Sequence, residues 1–220
     1  MKKLDVAIIG AGPAGIGISA MLAELGIKNQ VIFEANKVGS SFENWPEEMK
    51  LITPSFTTNF YGSMDLNAIV SRTSPAYTLR REHPTGKEYA NYLRAVSNHL
   101  KLPIVEETSV EEVNISKKTF KLKINGSDLV ESKFVIWATG EFQFPSLAPF
   151  KGAELCIHNS QVNSWRDLEG DEFYIIGGFE SGIDAAVNLS LFGKKVHVLD
   201  RNAPWEDRDT DPSLNLAPFT

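Results

Sequence analysis

One stretch constrains this chain more than any other: Ile8-Ile9-Gly10-Ala11-Gly12-Pro13-Ala14-Gly15. It follows an apolar run, Val6 to Ile9, that reads as a buried strand. It opens a helical pattern running to about Leu25, which Gly26 stops. A second apolar run, Val31-Ile32-Phe33, ends on Glu34, 19 residues past Gly15. Strand, glycine turn, helix, strand and acid form the pattern of a βαβ repeat that binds a dinucleotide. Gly10 allows the tight turn, Gly12 lets the backbone approach a pyrophosphate, and Gly15 lets the helix pack on the strand. The helix N-terminus turns free N–H groups toward the phosphates. Glu34 stands where a carboxylate reaches a ribose hydroxyl.

The same pattern returns near the other end of the sequence. The run Asp171 to Ile176 reads as a strand and leads into Gly177-Gly178-Phe179-Glu180-Ser181-Gly182. A helix is expected over Ile183 to Phe192, stopped by Gly193, followed by a strand Val196 to Leu199 and then Asp200-Arg201. This is an internal repeat, and two nucleotide sites in one chain usually serve hydride transfer between two dinucleotides. The second copy departs from the first at Phe179, which replaces the middle glycine. A ring there crowds a pyrophosphate unless the turn changes shape, and Gly178 is the residue expected to take over the close approach.

Between the repeats, Ala35 to Pro46 reads as a loop in which Phe42 and Trp45 supply large apolar contacts. Leu51 to Gly62 is aromatic and hydroxyl-rich without helical period, and residues 63 to 82 read as a surface excursion. His83-Pro84-Thr85-Gly86 turns into a helix from about Lys87 to Leu100, with Tyr89, Tyr92, Leu93, Val96 and Leu100 on its apolar face. Ile104 to Val110 reads as a strand, and Asn125-Gly126 marks a hairpin between Thr119–Ile124 and Leu129–Glu131. Phe134 to Trp137 reads as a buried strand running into Ala138-Thr139-Gly140, and Pro145 and Pro149 mark a crossing between two bodies. The expected division is residues 1–145 and 146–220. The fold class is α/β, with two Rossmann-like βαβ repeats, the second incomplete.

A formal charge of −6 with scattered cations argues against a nucleic-acid partner. No apolar run is long enough to span a membrane, and Met1-Lys2-Lys3-Leu4-Asp5 leads straight into the first strand. The cytoplasm is the expected compartment. The single cysteine, Cys156, excludes an intrachain disulfide, a CxxC dithiol and a zinc cluster. His83 and His99 read as surface or capping residues, because no second ligand sits at metal spacing.

Two such repeats joined by a strand ending Ala138-Thr139-Gly140 resemble the two-dinucleotide-binding flavoproteins. Within them the chain looks most like the flavin-containing monooxygenase-like group. The likeness rests on Gly10 to Gly15, Glu34, Ser41-Phe42 with Trp45-Pro46, Ala138-Thr139-Gly140 with Pro145, and Gly177 to Asp184. It implies FAD on the first repeat. Gly10, Gly12, Pro13, Ala14 and Gly15 would lie along its pyrophosphate, and Glu34 and Ala35 at its adenosine ribose. Ser41, Phe42 and Trp45 would lie along the flavin, the Val110 backbone at the adenine, and Ala138, Thr139 and Gly140 close by. It implies NADPH on the second repeat, through Gly177, Gly178, Glu180, Ser181 and Gly182, with Arg201 on the 2′-phosphate. Asp200 beside Arg201 leaves NADH open.

The group's Phe-x-Gly signature is matched in part, by Phe150-Lys151-Gly152 with His158 and Trp165. The region of its flavin-side asparagine offers Thr53, with Asn59 further on, and no catalytic side chain is assigned. The resemblance implies a monooxygenase that uses NADPH and molecular oxygen to oxygenate a small soft nucleophile or ketone. Phe56, Phe60, Tyr61 and Tyr77 are candidates for an apolar substrate pocket. A flavin disulfide reductase is the alternative, although such relatives carry a cysteine where this chain has Ala14. A non-catalytic nucleotide-binding module is the third reading. The chain stops shortly after the second repeat, where the group continues. That implies a fragment or a truncated relative, with a homo-oligomer partner a candidate to cover the sheet edge.

Overall fold

The structure is a computed structural model that describes residues 2–57, 65–126, 128–202, 204–206, 211 and 215–217. Asn59, Phe60, Tyr61 and the terminal residues 218–220 lie outside them. The chain divides into two compact bodies, Met1–Glu43 with Pro54–Phe144, and Asn44–Thr53 with Pro145–Thr220. The last cut falls at 144/145, next to the expected 145/146. The difference is Asn44–Thr53, which belongs to the second body. Hydrogen bonds hold it there. Glu47 N–H donates to Asn163 O at 2.8 Å, and the Glu48 carboxylate accepts from the Ser164 hydroxyl at 2.5 Å and Trp165 N–H at 3.0 Å.

The first body is built on β1 (Lys2–Ile9), α1 (Pro13–Glu24), β2 (Gln30–Phe33), α2 (Ser40–Glu43), α3 (Pro75–Leu79), α4 (Gly86–Leu100), β3 (Ile104–Val105), β4 (Val110–Ser116), β5 (Thr119–Ile124) and β6 (Asp128–Trp137). Its sheet runs β3-β2-β1-β6-β5-β4. The first four of these strands are mutually parallel, and the last two pairings are antiparallel. Leu4, Ala7, Ile9, Val31, Phe33, Leu122, Ile124 and Val130 form one buried cluster. Pro13 starts α1, where its missing N–H costs nothing, and Gly26 follows its end at φ +82°. A capping box between Thr85 and Glu88 starts α4, and Tyr89, Tyr92, Leu93 and Val96 are buried as the spacing predicts. Leu100, the last residue of the helix, is 38% exposed.

Three strand expectations are corrected. Residues 104–110 are not one strand: β3 takes two of them, and β4 starts at Val110. The hairpin strand and the strand before Ala138 are one continuous β6. Phe134 and Trp137 are 64% and 67% exposed rather than buried, since they lie on parts of β6 that the described residues leave uncovered.

The second body contains β7 (Glu172–Ile176), α5 (Glu180–Leu191) and β8 (Lys195–Leu199), with β7 and β8 parallel. Phe173, Ile175 and Val196 pack with Val162, Trp165, Ala185 and Leu189, while Tyr174, Ile176 and Leu199 face outward. The helix starts three residues before the expected Ile183, with Phe179 as its N-cap. The structure thus has the α/β class and the two βαβ repeats that the sequence predicts.

Candidate functional site

In the first body the candidate residues collect at the carboxyl ends of the parallel strands, where open α/β sheets bind their ligands. Gly10, at φ +103°, turns the chain from β1 into α1, and its N–H donates to Phe33 O at 2.8 Å. A Cβ on it would strike Ala138 O, so the turn also needs glycine to let the end of β6 pass. Ala138 N–H donates in turn to Ile9 O at 2.9 Å, which draws Ala138-Thr139-Gly140 alongside the turn. A Cβ on Gly15 would strike Gly10 O, so this glycine allows helix and turn to close on each other.

Gly12 is different. A Cβ on it would meet nothing within 4 Å, and its φ of −85° suits any residue. Neither turn nor packing calls for glycine there. What glycine provides is open space beside the first turn of α1, which has no side-chain cap and no acidic residue. That is a cradle for a pyrophosphate. Glu34 is buried at the end of β2, with Oε2 accepting from Ala11 N–H at 2.7 Å and Oε1 from Asn36 N–H at 2.9 Å. A carboxylate has about four lone-pair sites, so two remain for ribose hydroxyls. The residues present therefore fit FAD: Gly12, Ala14 and Gly15 for the phosphates, and Glu34 for the ribose.

The neighbouring segments are pinned to this site by backbone bonds. Gly39 N–H donates to Ala11 O at 3.3 Å, which places Ser41 beside the turn, and the Phe42 ring packs edge-on against Tyr89 at 4.9 Å. Thr108 N–H donates to Glu34 O at 2.8 Å and Glu107 N–H to Asn36 O at 2.9 Å, which brings the start of β4 at Val110 toward the ribose acid. Ala35 is exposed next to it. Trp45 belongs to the second body. Sequence reasoning missed Glu106, whose Oε1 accepts from Val38 N–H at 2.8 Å and fixes the loop that carries Ser41. Nothing in its local pattern marks it.

Of the aromatic pocket candidates, Phe56 and Tyr77 are largely exposed. Tyr77 lines a cavity of about 550 Å³ whose other walls include Asp65, Arg72, Thr73 and His99, so the lining is mixed rather than aromatic.

The second turn repeats the first almost atom for atom. Gly177 has φ +102°, its N–H donates to Leu199 O at 2.9 Å, and a Cβ on Gly182 would strike Gly177 O. Asp200 takes the place of Glu34, with Oδ2 accepting from Gly178 N–H at 2.7 Å and Oδ1 from Asn202 N–H at 2.8 Å. Ser181 and Arg201 are exposed. The room at Gly178 is not open, however. A Cβ there would strike the Trp205 ring and come within 2.9 Å of Asp200 Cβ. His158 caps a short 3-10 turn, its ring accepting from Ser160 N–H at 3.2 Å. Further into α5, burial pushes the Asp184 carboxyl above the usual range, against the pull of Trp165 and Asn188. Neither Asp184 Oδ2 nor Trp165 Nε1 makes a hydrogen bond among the described residues.

The family model described as pyridine nucleotide-disulphide oxidoreductase matches residues 7–220. The chain belongs to this family of flavin-dependent oxidoreductases. A relative from Geobacillus kaustophilus, an uncharacterized CzcO-like oxidoreductase, is 27% identical over 191 residues, covering 85% of this chain and 51% of the relative. Bacillithiol disulfide reductase Bdr from Staphylococcus aureus superposes with a TM-score of 0.76 at 25% identity, over 100% of this chain and 61% of the reductase. A flavin-containing monooxygenase from Stenotrophomonas maltophilia superposes with a TM-score of 0.72 at 20% identity, over 92% of this chain and 60% of that one. The chain thus spans about half the length of the curated relatives it matches. Two βαβ repeats are set one after the other in this chain. Among the described residues no group of acids, histidines and cysteine could hold a metal, and no helix is long and apolar enough to cross a membrane.

Proposed function

We propose that this chain is the FAD-holding part of an oxidoreductase of the flavin monooxygenase type. The open space at Gly12, with the Glu34 carboxylate anchored on Ala11 N–H next to it in the chain, carries the reading. FAD bound there would supply the two-electron chemistry. The chain's own residues bind and orient it. The first turn of α1 takes the pyrophosphate, Glu34 and the backbone near Ala35 take the ribose, and Ala138-Thr139-Gly140 closes one side. Ser41 and Phe42 approach from the Gly39 loop. No side chain is needed as a nucleophile. Oxygenation of a small soft nucleophile or ketone, with NAD(P)H as electron source and molecular oxygen as co-substrate, is proposed at the scale of the complete relatives. The cytoplasm remains the expected compartment, and a homo-oligomer the expected assembly.

The purified protein is expected to show flavin absorption bands and to release about one FAD per chain. A colourless protein that stays colourless with added FAD would overturn the reading. Formation of oxygenated product from a panel of sulfides, amines and ketones, with the flavin reduced by light or by NADPH, then tests the monooxygenase step, and no product with either reductant would remove it. The likeness to bacillithiol disulfide reductase favours a second reading, reduction of a low-molecular-weight disulfide. This chain offers it only Cys156, exposed and outside both turns. Turnover of such a disulfide with NADPH would establish it.

A further inference from the structure

The two turns are a controlled comparison built into one molecule. Their backbones agree at the residue that decides phosphate access: φ/ψ is −85°/−173° at Gly12 and −90°/−171° at Phe179. Ile16 N–H donates to Gly12 O at 3.0 Å, and Ile183 N–H to Phe179 O at 2.9 Å. The second turn has therefore not changed shape to accommodate its phenylalanine. The Cβ and ring of Phe179 start from the point where the first turn leaves open space.

Two further differences act in the same direction. The first turn of α1 holds no acid, whereas Glu180 is the first residue of α5. A carboxylate there takes up the favourable interaction with the helix dipole that a phosphate would otherwise have, and repels a second anion. Gly178, the residue expected to allow a close approach instead, has its free side filled by the Trp205 ring. Its glycine character is used to pack an indole.

We infer that Phe179, Glu180 and Trp205 close the second phosphate cradle, so that this chain holds a dinucleotide on its first turn only. Asp200 keeps its two backbone bonds as a structural anchor of the turn. The residues present do not fit the pyrophosphate of NADH or NADPH as they stand, although the surrounding βαβ frame does.

Binding of NADH and of NADPH to the FAD-loaded full chain, measured by titration calorimetry, tests this without any turnover. Phe179→Gly and Trp205→Ala are each expected to tighten binding about tenfold or more, by returning the cradle to a competent population. A smaller gain, or weaker binding, overturns the inference, as does a wild-type Kd in the low micromolar range. Should Phe179→Gly fail to fold, Trp205→Ala and the wild-type value decide. Flavin absorbance reports the first turn separately. If FAD does not load, the same titrations on a Gly12→Phe background read the second turn alone.

Discussion

Gly12 and Phe179 occupy one place in two copies of the same turn, and the hydrogen bonds around them differ by no more than 0.1 Å. Gly10 and Gly177 share a left-handed φ, and Gly15 and Gly182 each lie against the carbonyl of the first glycine. These four glycines are fixed by the fold. Gly12 is not, and neither is Phe179. A glycine motif therefore mixes two kinds of position, those that shape the turn and those that leave room for a ligand. Only the second kind reports on binding.

The largest effect is expected from making the first turn resemble the second. A Cβ at position 12 meets no neighbour, and Gly12→Phe keeps a backbone that phenylalanine already adopts at 179. Flavin content should fall from near one per chain to background, with thermal stability of the apoprotein changed by no more than about 0.5 kcal/mol. Absorbance and a thermal melt check both halves. Retained flavin would show that the cradle is not at Gly12.

Next come the positions fixed by the fold. Gly15→Ala and Gly182→Ala each push a methyl into a backbone carbonyl, and each should cost about 3 kcal/mol. Denaturant melts are the measure, and the two losses should be similar because the two geometries are. Gly12→Ala, with the same added methyl, should cost only a few tenths.

A smaller effect separates the two acids. Glu34→Gln keeps the shape and removes the charge that would receive the ribose hydroxyls, so FAD affinity should fall about tenfold. Asp200→Asn should leave FAD affinity unchanged, while loosening the second turn by about 1 kcal/mol. Equal effects of the two on FAD would contradict the assignment of FAD to the first turn.

The glycine turns, their helices and the acids that end β2 and β8 were legible because each obeys a local rule over a few residues. The rest was not, for identifiable reasons. The turn from β4 to β5 runs through Lys117 at φ +58°, with no glycine or asparagine to announce it. The excursion before α4 is ordered by Asp65, buried and accepting from Asn67 N–H, the Ser74 hydroxyl and Ala76 N–H. A charged residue in a polar stretch gives no sign of that. Phe134 and Trp137 look like core by composition, but burial depends on what covers the strand. Trp205 filling the side of Gly178 is a contact over 27 residues, which no local pattern encodes.

The contacts that hold the second body together respond to pH. The second body is strapped by Asn44–Thr53, through Glu48. Burial works against the Glu48 charge, but hydrogen bonds from Ser164 and from Trp165 N–H outweigh it and hold the carboxyl below the usual range. A lowered folded pKa gives stability that is present above the unfolded value and lost as pH falls through the folded one. Asp184 has the opposite sign. Burial raises it, so its contribution is greatest in acid and is lost as pH rises through the raised value. Glu48→Gln should cost about 0.5–1 kcal/mol at neutral pH after solvent screening, and should flatten the acid limb of a stability profile. Asp184→Asn should add about 1 kcal/mol at neutral pH, by removing a charge that burial disfavours, and should flatten the opposite limb. Urea melts from about pH 4 to pH 8 measure both limbs. If the two variants shifted the profile in the same direction, the strap through Glu48 and the buried Asp184 carboxyl would not be the opposed pair that the second body's geometry describes.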